Sequence, residues 1–161
     1  YATYLKRQIQ VEAEEKVPEG KMAKLLYDMY QPDCAKYAEE SDVPQIYELL
    51  LENFDLQADH IPSEDDLLQI VKEKEVMIYK IGDKIECFFI YRREGKKLYC
   101  AFSYNHASAD ILYSIERRVK EIEYEENGIK MHYAWFNAEN KKALRRNAWK
   151  DTKIRDYIFV K

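Results

Sequence analysis

Few residues in this chain could do chemistry, and they do not form any familiar catalytic signature. The strongest candidate is His106, at the end of a predicted strand. An imidazole there could act as a general base near neutral pH or contact a phosphate; the alternative is a surface-loop histidine. Tyr104, two residues earlier, and Tyr99 could donate a proton, although strand tyrosines often serve only packing. His60 and His132 have no partner at ligand spacing, so no metal site is expected. The cysteines Cys34, Cys87 and Cys100 are odd in number and widely spaced. That spacing suits neither a disulfide framework nor a CxxC site, so they read as small buried residues in a reducing compartment. G-x-S-x-G, P-loop and H-E-x-x-H patterns do not occur.

Composition narrows the classes. The chain has 161 residues, 47% apolar and 35% charged, with a net charge of −4. That describes a globular chain of one domain, with or without an appendage. The acidic balance argues against bulk nucleic-acid binding. A local basic run does occur, from Lys141 and Lys142 through Arg145, Arg146 and Lys150 to Arg155. It reads as a solvated helix face, or as a contact for a nucleotide phosphate or an acidic partner. No stretch is long and apolar enough to span a membrane. No signal peptide opens the chain, and a cytoplasmic location is expected. The chain starts at Tyr1, consistent with a piece of a longer polypeptide. Tyrosine is frequent, 14 of 161, and could line a half-polar cleft or simply follow strand propensity.

The elements that must position these residues follow from periodicity. Residues 3–17 read as a weakly patterned helix, broken by Pro18-Glu19-Gly20. Met22, Leu25, Leu26 and Met29 make a second helical stripe, ended by Gln31-Pro32-Asp33. Residues 1–33 cannot form a core alone. They must lean on the main domain, a partner or an upstream domain. Cys34 to Ala38 is a strand candidate. Asp42 with Gln45 resembles a capping box for a helix carrying Val43, Ile46, Leu49 and Leu50. Ser63 caps a second helix, with Asp66 three residues on. Three strands follow in a meander, Val76 to Ile81, Ile85 to Arg92 and Leu98 to Tyr104. Gly82-Asp83 and Glu94-Gly95-Lys96 supply the turns. The run from Cys87 to Tyr91 should be covered on both faces. Ile111, Ile115, Val119 and Ile122 make a long amphipathic helix over Ala109 to Glu126, stopped by Asn127-Gly128. A strand from Met131 to Phe136, a helix over 139–147 and a strand from Tyr157 to Val160 complete the pattern.

This order resembles the GNAT superfamily of acyl-CoA N-acyltransferases over residues 34–161. YAEESDVPQIYELL (37–50) is similar to that family's opening strand and Asp-capped helix. FNAENKKALRR (136–146) resembles its late N-x-x-A-x-R helix start, carried by Asn140, Ala143 and Arg145. DYIFVK (156–161) is similar to its closing strand. The resemblance implies an α/β fold, a central mixed sheet with helices on both faces. It also implies a wedge where the fourth strand, Leu98 to Tyr104, parts from Met131 to Phe136. Full-length pairing of those strands would remove the cavity.

In the family an acyl-CoA thioester enters that wedge. Its pantetheine arm would pair with the fourth strand, at Cys100, Phe102 and Tyr104. Its pyrophosphate would meet Ser108 and Ala109, and Asn140 would be a further cofactor contact. His106 and Tyr104 would be the catalytic candidates. Strand N–H groups would polarise the thioester carbonyl, and a small-molecule or peptide amine would be the acceptor. The family's pyrophosphate loop needs glycine for close backbone approach at a helix N-terminus. Here the corresponding stretch, Asn105-His106-Ala107-Ser108-Ala109-Asp110, contains none. Asp110 puts negative charge at that helix start, a stabilising cap for an empty anion site. The family's proton-donating Tyr matches Asn147, which cannot serve as an acid. Two readings follow. One is an N-acyltransferase using acetyl-CoA or a related carrier thioester. The other is a catalytically silent binding module in a larger protein. A homodimer is left open.

Overall fold

The computed structural model describes residues 21–56, 59–135 and 153–154, apart from the side chains of 22 and 23. The helix expected over 3–17, the helix over 139–147, the last strand, Asn140 and Asn147 lie outside the described residues. The helices are α1 (Lys21–Asp28), α2 (Val43–Asn53), α3 (Glu64–Lys72) and α4 (Ala109–Glu126). The strands are β1 (Lys36–Tyr37), β2 (Val76–Ile81), β3 (Lys84–Glu94), β4 (Lys97–Asn105) and β5 (Met131–Tyr133).

Two tight turns set the sheet. Ile81 pairs with Lys84 across Gly82-Asp83, and Glu94 with Lys97 across Gly95-Lys96. Gly82 and Gly95 hold φ of +61° and +63°, where a side chain would be strained. Such two-residue connections make consecutive strands antiparallel neighbours. β1 also runs antiparallel to β2, and β5 runs parallel to β4, giving the order β1-β2-β3-β4-β5. A parallel partner requires a crossover, and α4 provides it.

β3 is buried on both faces, as its apolar run predicts. Phe88 and Ile90 pack with Ile46, Leu50, Leu67 and Ile70 of α2 and α3. Cys87, Phe89 and Tyr91 pack with Ile111, Ile115 and Val119 of α4. Helices therefore cover both faces of the mixed sheet. Ile115 and Val119 are wholly buried, and each such side chain stabilises the fold by ~1.5–3 kcal/mol relative to exposure.

The described part of the N-terminal segment lies along α4. Leu26 is buried. The rings of Tyr27 and Tyr30 flank the Arg117 guanidinium at 4.4 and 4.1 Å. The Tyr30 hydroxyl donates to Glu121 at 2.5 Å, and the Gln31 N–H donates to Ser114 Oγ at 3.0 Å.

Three local expectations need correction. Pro32–Cys34 is a 3-10 turn, and only Lys36–Tyr37 is strand; Pro32 suits the first position of that turn, which takes the Cys34 N–H to the Gln31 carbonyl at 3.2 Å. Asp42 does not cap α2 forward. Its carboxylate turns back to the Glu39 N–H at 2.9 Å, in a reciprocal box around the turn Glu40–Asp42, and pairs with Lys80. Gln45 instead pins the β2–β3 turn, donating to the Asp83 carbonyl at 3.2 Å and accepting the Ile85 N–H. Ser63 does cap α3, accepting the Asp66 N–H at 3.1 Å, and α4 runs over the expected residues.

Candidate functional site: the open edge of β4

β4 and β5 pair at only three positions: Lys97 with Met131, Leu98 with His132 and Tyr99 with Tyr133. β4 then continues from Cys100 to Asn105, still paired to β3 on its other side. Among the described residues no strand pairs with this continuation beyond Tyr99. Residues 134 and 135 are not strand, and Phe136, the expected end of β5, lies outside the described residues. The two strands thus part at the Tyr99–Tyr133 pair.

A bulge sits at the point of parting. Ile90 pairs with Phe102 and Tyr91 with Cys100, so Ala101 is an extra residue in β4. A bulge bends its strand and shifts the side-chain alternation. Leu98 and Cys100 pack in the α4-side core, whereas Phe102 and Tyr104 pack in the α2–α3 core. Three residues expected to line one track are thereby divided between the two faces. Cys100 is buried against α4, and burial pushes its thiol up to about 12. Phe102 meets Phe54 edge-on at 5.0 Å, and Tyr104 stacks on Phe88 at 5.4 Å.

The bulge also leaves a defined set of backbone groups on the open side. In an antiparallel ladder each residue directs its N–H and C=O to one neighbour, and the direction alternates. The His106 N–H donates to the Glu86 carbonyl at 2.8 Å. Tyr104 and Phe102 therefore face β3, and Ser103 and Asn105 present their backbone groups to the open side.

The loop into α4 turns without glycine, and Asn105 explains how. Its Oδ1 accepts the Ala107 N–H at 3.1 Å, and its Nδ2 donates to the Ser108 carbonyl at 3.2 Å. This side-chain turn replaces the left-handed residue a glycine would supply; the only non-glycine residues with positive φ among those described are Lys74 and Lys153. Ser108 is the N-cap residue of α4, but its hydroxyl makes no capping bond, and Ala109 starts the helix. Asp110 accepts from the Gln31 side chain at 3.0 Å. His106 is exposed, with Nδ1 2.8 Å from Glu86 Oε2. Glu86 is the extra residue of a second bulge, in β3. The His106 hydrogen bond, then that of Lys84, holds the Glu86 carboxyl below its ordinary value. At ~3.3 Å per residue, His106 stands roughly 20 Å along the strand from Tyr99, and Tyr104 roughly 15 Å.

Sequence reasoning missed a second group, at the vertex itself. Tyr99 and Tyr133 stack with ring centroids 5.2 Å apart. The Tyr133 hydroxyl donates to Glu94 Oε2 at 2.5 Å. Lys97 Nζ lies 3.9 Å from Glu94 and 5.4 Å from the Tyr133 ring centroid. Burial, then the neighbouring Glu94, Cys100 and Asp59 in that order, raises the Tyr99 hydroxyl above its ordinary value. A turn glutamate and a strand tyrosine carry no distinguishing signal in the sequence. Only the strand pairing brings them together.

Solved structures share this arrangement of elements. A possible acetyltransferase from Clostridium difficile 630 superposes with a TM-score of 0.53 at 17% identity, over 79% of this chain and 97% of its own. The protein TTHA1254 from Thermus thermophilus gives 0.54 at 14%, over 78% and 95%. A predicted acetyltransferase from Clostridium acetobutylicum, solved with acetyl-CoA, gives 0.52 at 12%, over 78% and 94%. The fold is GNAT-like. No family model matches the chain, and no curated protein matches its sequence. Among the described residues of this GNAT-like domain, no group of three or more His, Cys, Asp or Glu is placed to hold a metal ion, and no helix is long and apolar enough to cross a membrane.

Proposed function

We propose that the GNAT-like domain transfers an acyl group from acetyl-CoA, or a related carrier thioester, to a small-molecule or peptide amine. The observation that carries this reading is the run of β4 from Cys100 to Asn105 without a β5 partner. A pantetheine arm carries two amides, and the backbone groups that Ser103 and Asn105 direct away from β3 suit them as a neighbouring strand would. The thioester would lie toward the vertex, where preorganised N–H groups stabilise the charge that develops on its carbonyl oxygen. Phe102 and Tyr104 stiffen that strand from the α2–α3 face, and Cys100 does so from the α4 face.

The pyrophosphate would lie toward Ser108 and Ala109, where a helix N-terminus favours anions. His106 would add a donor or a positive charge there. The roughly 20 Å separating it from the vertex suits a phosphate contact better than proton abstraction at the reacting carbon. Asn140 and Tyr104 are retained as further contacts in this proposal. The absence of glycine from the loop is offset by the Asn105 side-chain turn, which leaves the start of α4 accessible to a ligand.

Calorimetry with acetyl-CoA tests the reading. Binding in the micromolar to millimolar range, lost when Ser103 is replaced by Pro, is the expected result. No heat and no thermal shift at millimolar acetyl-CoA would overturn it. A release of free thiol that depends on added amine would then establish transfer.

A further inference from the structure

Resting on the acyltransfer reading, we infer that Tyr133 and Glu94 form the proton-accepting pair for the attacking amine, at the vertex where β4 and β5 separate. Tyr99 and Tyr133 are the last paired residues of the two strands. Directly opposed positions point to the same face of a sheet, and their stacked rings meet that expectation. That face is the one that carries Phe102 and Phe54, opposite α4. A thioester lying on the open edge just beyond the vertex would place its carbonyl carbon beside Tyr133, whose hydroxyl leads back to Glu94, opposite Lys97. The neighbouring Tyr124–His132 pair, 2.8 Å apart, joins β5 to α4 on the other face of the sheet.

The chemistry is balanced through the pair. The amine lone pair forms the C–N bond, and the nitrogen becomes cationic and acidic. Its proton passes to Tyr133 Oη as the Tyr133 proton passes to Glu94. The C–S bond then breaks, and the thiolate leaves with the electron pair and takes a proton from solvent. Glu94 is half-exposed, so it can return its proton to water after each turnover. Tyr133 itself is buried, so its hydroxyl is held in one place by Glu94. Glu94 acts through Tyr133 and is a positioning residue as well as the final proton acceptor.

The surroundings suggest the acceptor class. Asp59 and Glu94 set a negative potential around Tyr99, and two aromatic faces border the vertex. Lys97 is the facing cation, and the Asp59 carboxylate is also held by the Asp55 N–H at 2.8 Å. Negative potential beside aromatic faces favours a primary alkyl amine, whose cationic form is drawn in, gives up one proton to solvent before attack, and packs its methylenes on the rings.

The test is thiol release from acetyl-CoA with lysine, putrescine, spermidine and a lysine-containing peptide as acceptors. Tyr133→Phe keeps the ring stack and removes the hydroxyl. Its kcat should fall by roughly 100-fold, the scale of a lost general base, with acetyl-CoA affinity within about twofold of the unaltered protein. Glu94→Gln should lower kcat and move the acidic limb of the kcat/KM pH profile, which a purely structural role would not do. If Tyr133→Phe fails to fold, Glu94→Gln still decides the matter. Unchanged kcat and pH profile in whichever variant folds would overturn the pair while leaving the acyltransferase reading intact. Failure of the unaltered protein to bind acetyl-CoA, or to release thiol with any amine, would overturn both.

Discussion

The two ends of the β3–β4 hairpin are built in opposite ways. At the turn end, polar groups are buried and paired. Glu123 of α4 is fully buried, and Arg93 grips it with a two-pronged fork, Nε to Oε2 at 2.7 Å and Nη2 to Oε1 at 2.6 Å. The fork raises Arg93 above its ordinary value. Asn127 adds a third donor to the same carboxylate, at 3.2 Å. The Arg93 N–H donates to Glu75, and Arg92 Nε lies 2.9 Å from the other Glu75 oxygen. At the loop end, β4 loses its β5 partner, and the α4 N-cap hydroxyl makes no capping bond. The contrast teaches that this chain concentrates stability at the closed end and leaves bonding capacity at the open one, as expected where a scaffold presents a binding edge.

Changes at the closed end should therefore cost most stability. Glu123→Ala takes the carboxylate from the half-buried Arg93 guanidinium, and losing a hydrogen bond to a charged group costs ~1.5–3 kcal/mol. Urea denaturation should report that loss. A loss below ~1 kcal/mol would mean that the two ends do not differ in the way described.

The closed end also carries a pH dependence. His132, bonded to the Tyr124 hydroxyl at 2.8 Å, is pushed down to about 3 by burial, from an ordinary 6.5. The unfolded chain takes up this proton near 6.5, and the fold takes it up only near 3. Stability should therefore fall as pH drops from about 6.5 toward 3, by ~5 kcal/mol on the scale of about 1.36 kcal/mol per unit, and level off below. His132→Gln should flatten that part of the curve when stability is measured against pH. A parallel curve for the variant would contradict the assignment.

The open end should show smaller effects on stability and larger ones on binding. Asn105→Ala removes both hydrogen bonds of the loop, each worth ~0.5–1.5 kcal/mol. A destabilisation of about 1 kcal/mol with at least roughly tenfold weaker acetyl-CoA binding is expected from melting and calorimetry together. Equal binding would separate the loop from the site.

What the sequence disclosed follows the same division. Periodicity and turn chemistry are local, and they located α4, both hairpins and the doubly buried β3. The Asn-Gly stop of α4 and the Ser63 cap were equally plain. The bulges at Ala101 and Glu86 were not, because an inserted residue is recognised only against the strand beside it. With the Ala101 bulge unseen, Cys100, Phe102 and Tyr104 read as one alternating track. The Arg93–Glu123 fork joins residues 30 positions apart, and neither pattern nor spacing announces it. Asn105 looked like a defect in a glycine loop, yet it is the residue that makes the turn.

Amide hydrogen exchange along β4, with and without acetyl-CoA, tests the central claim most directly. The N–H groups of Phe102 and Tyr104, bonded toward β3, should be protected in both states. Those of Ser103 and Asn105 should exchange quickly in the free protein and slow at least roughly tenfold when acetyl-CoA is bound. Ser103 and Asn105 amides already protected without ligand, or unmoved by it, would contradict the account.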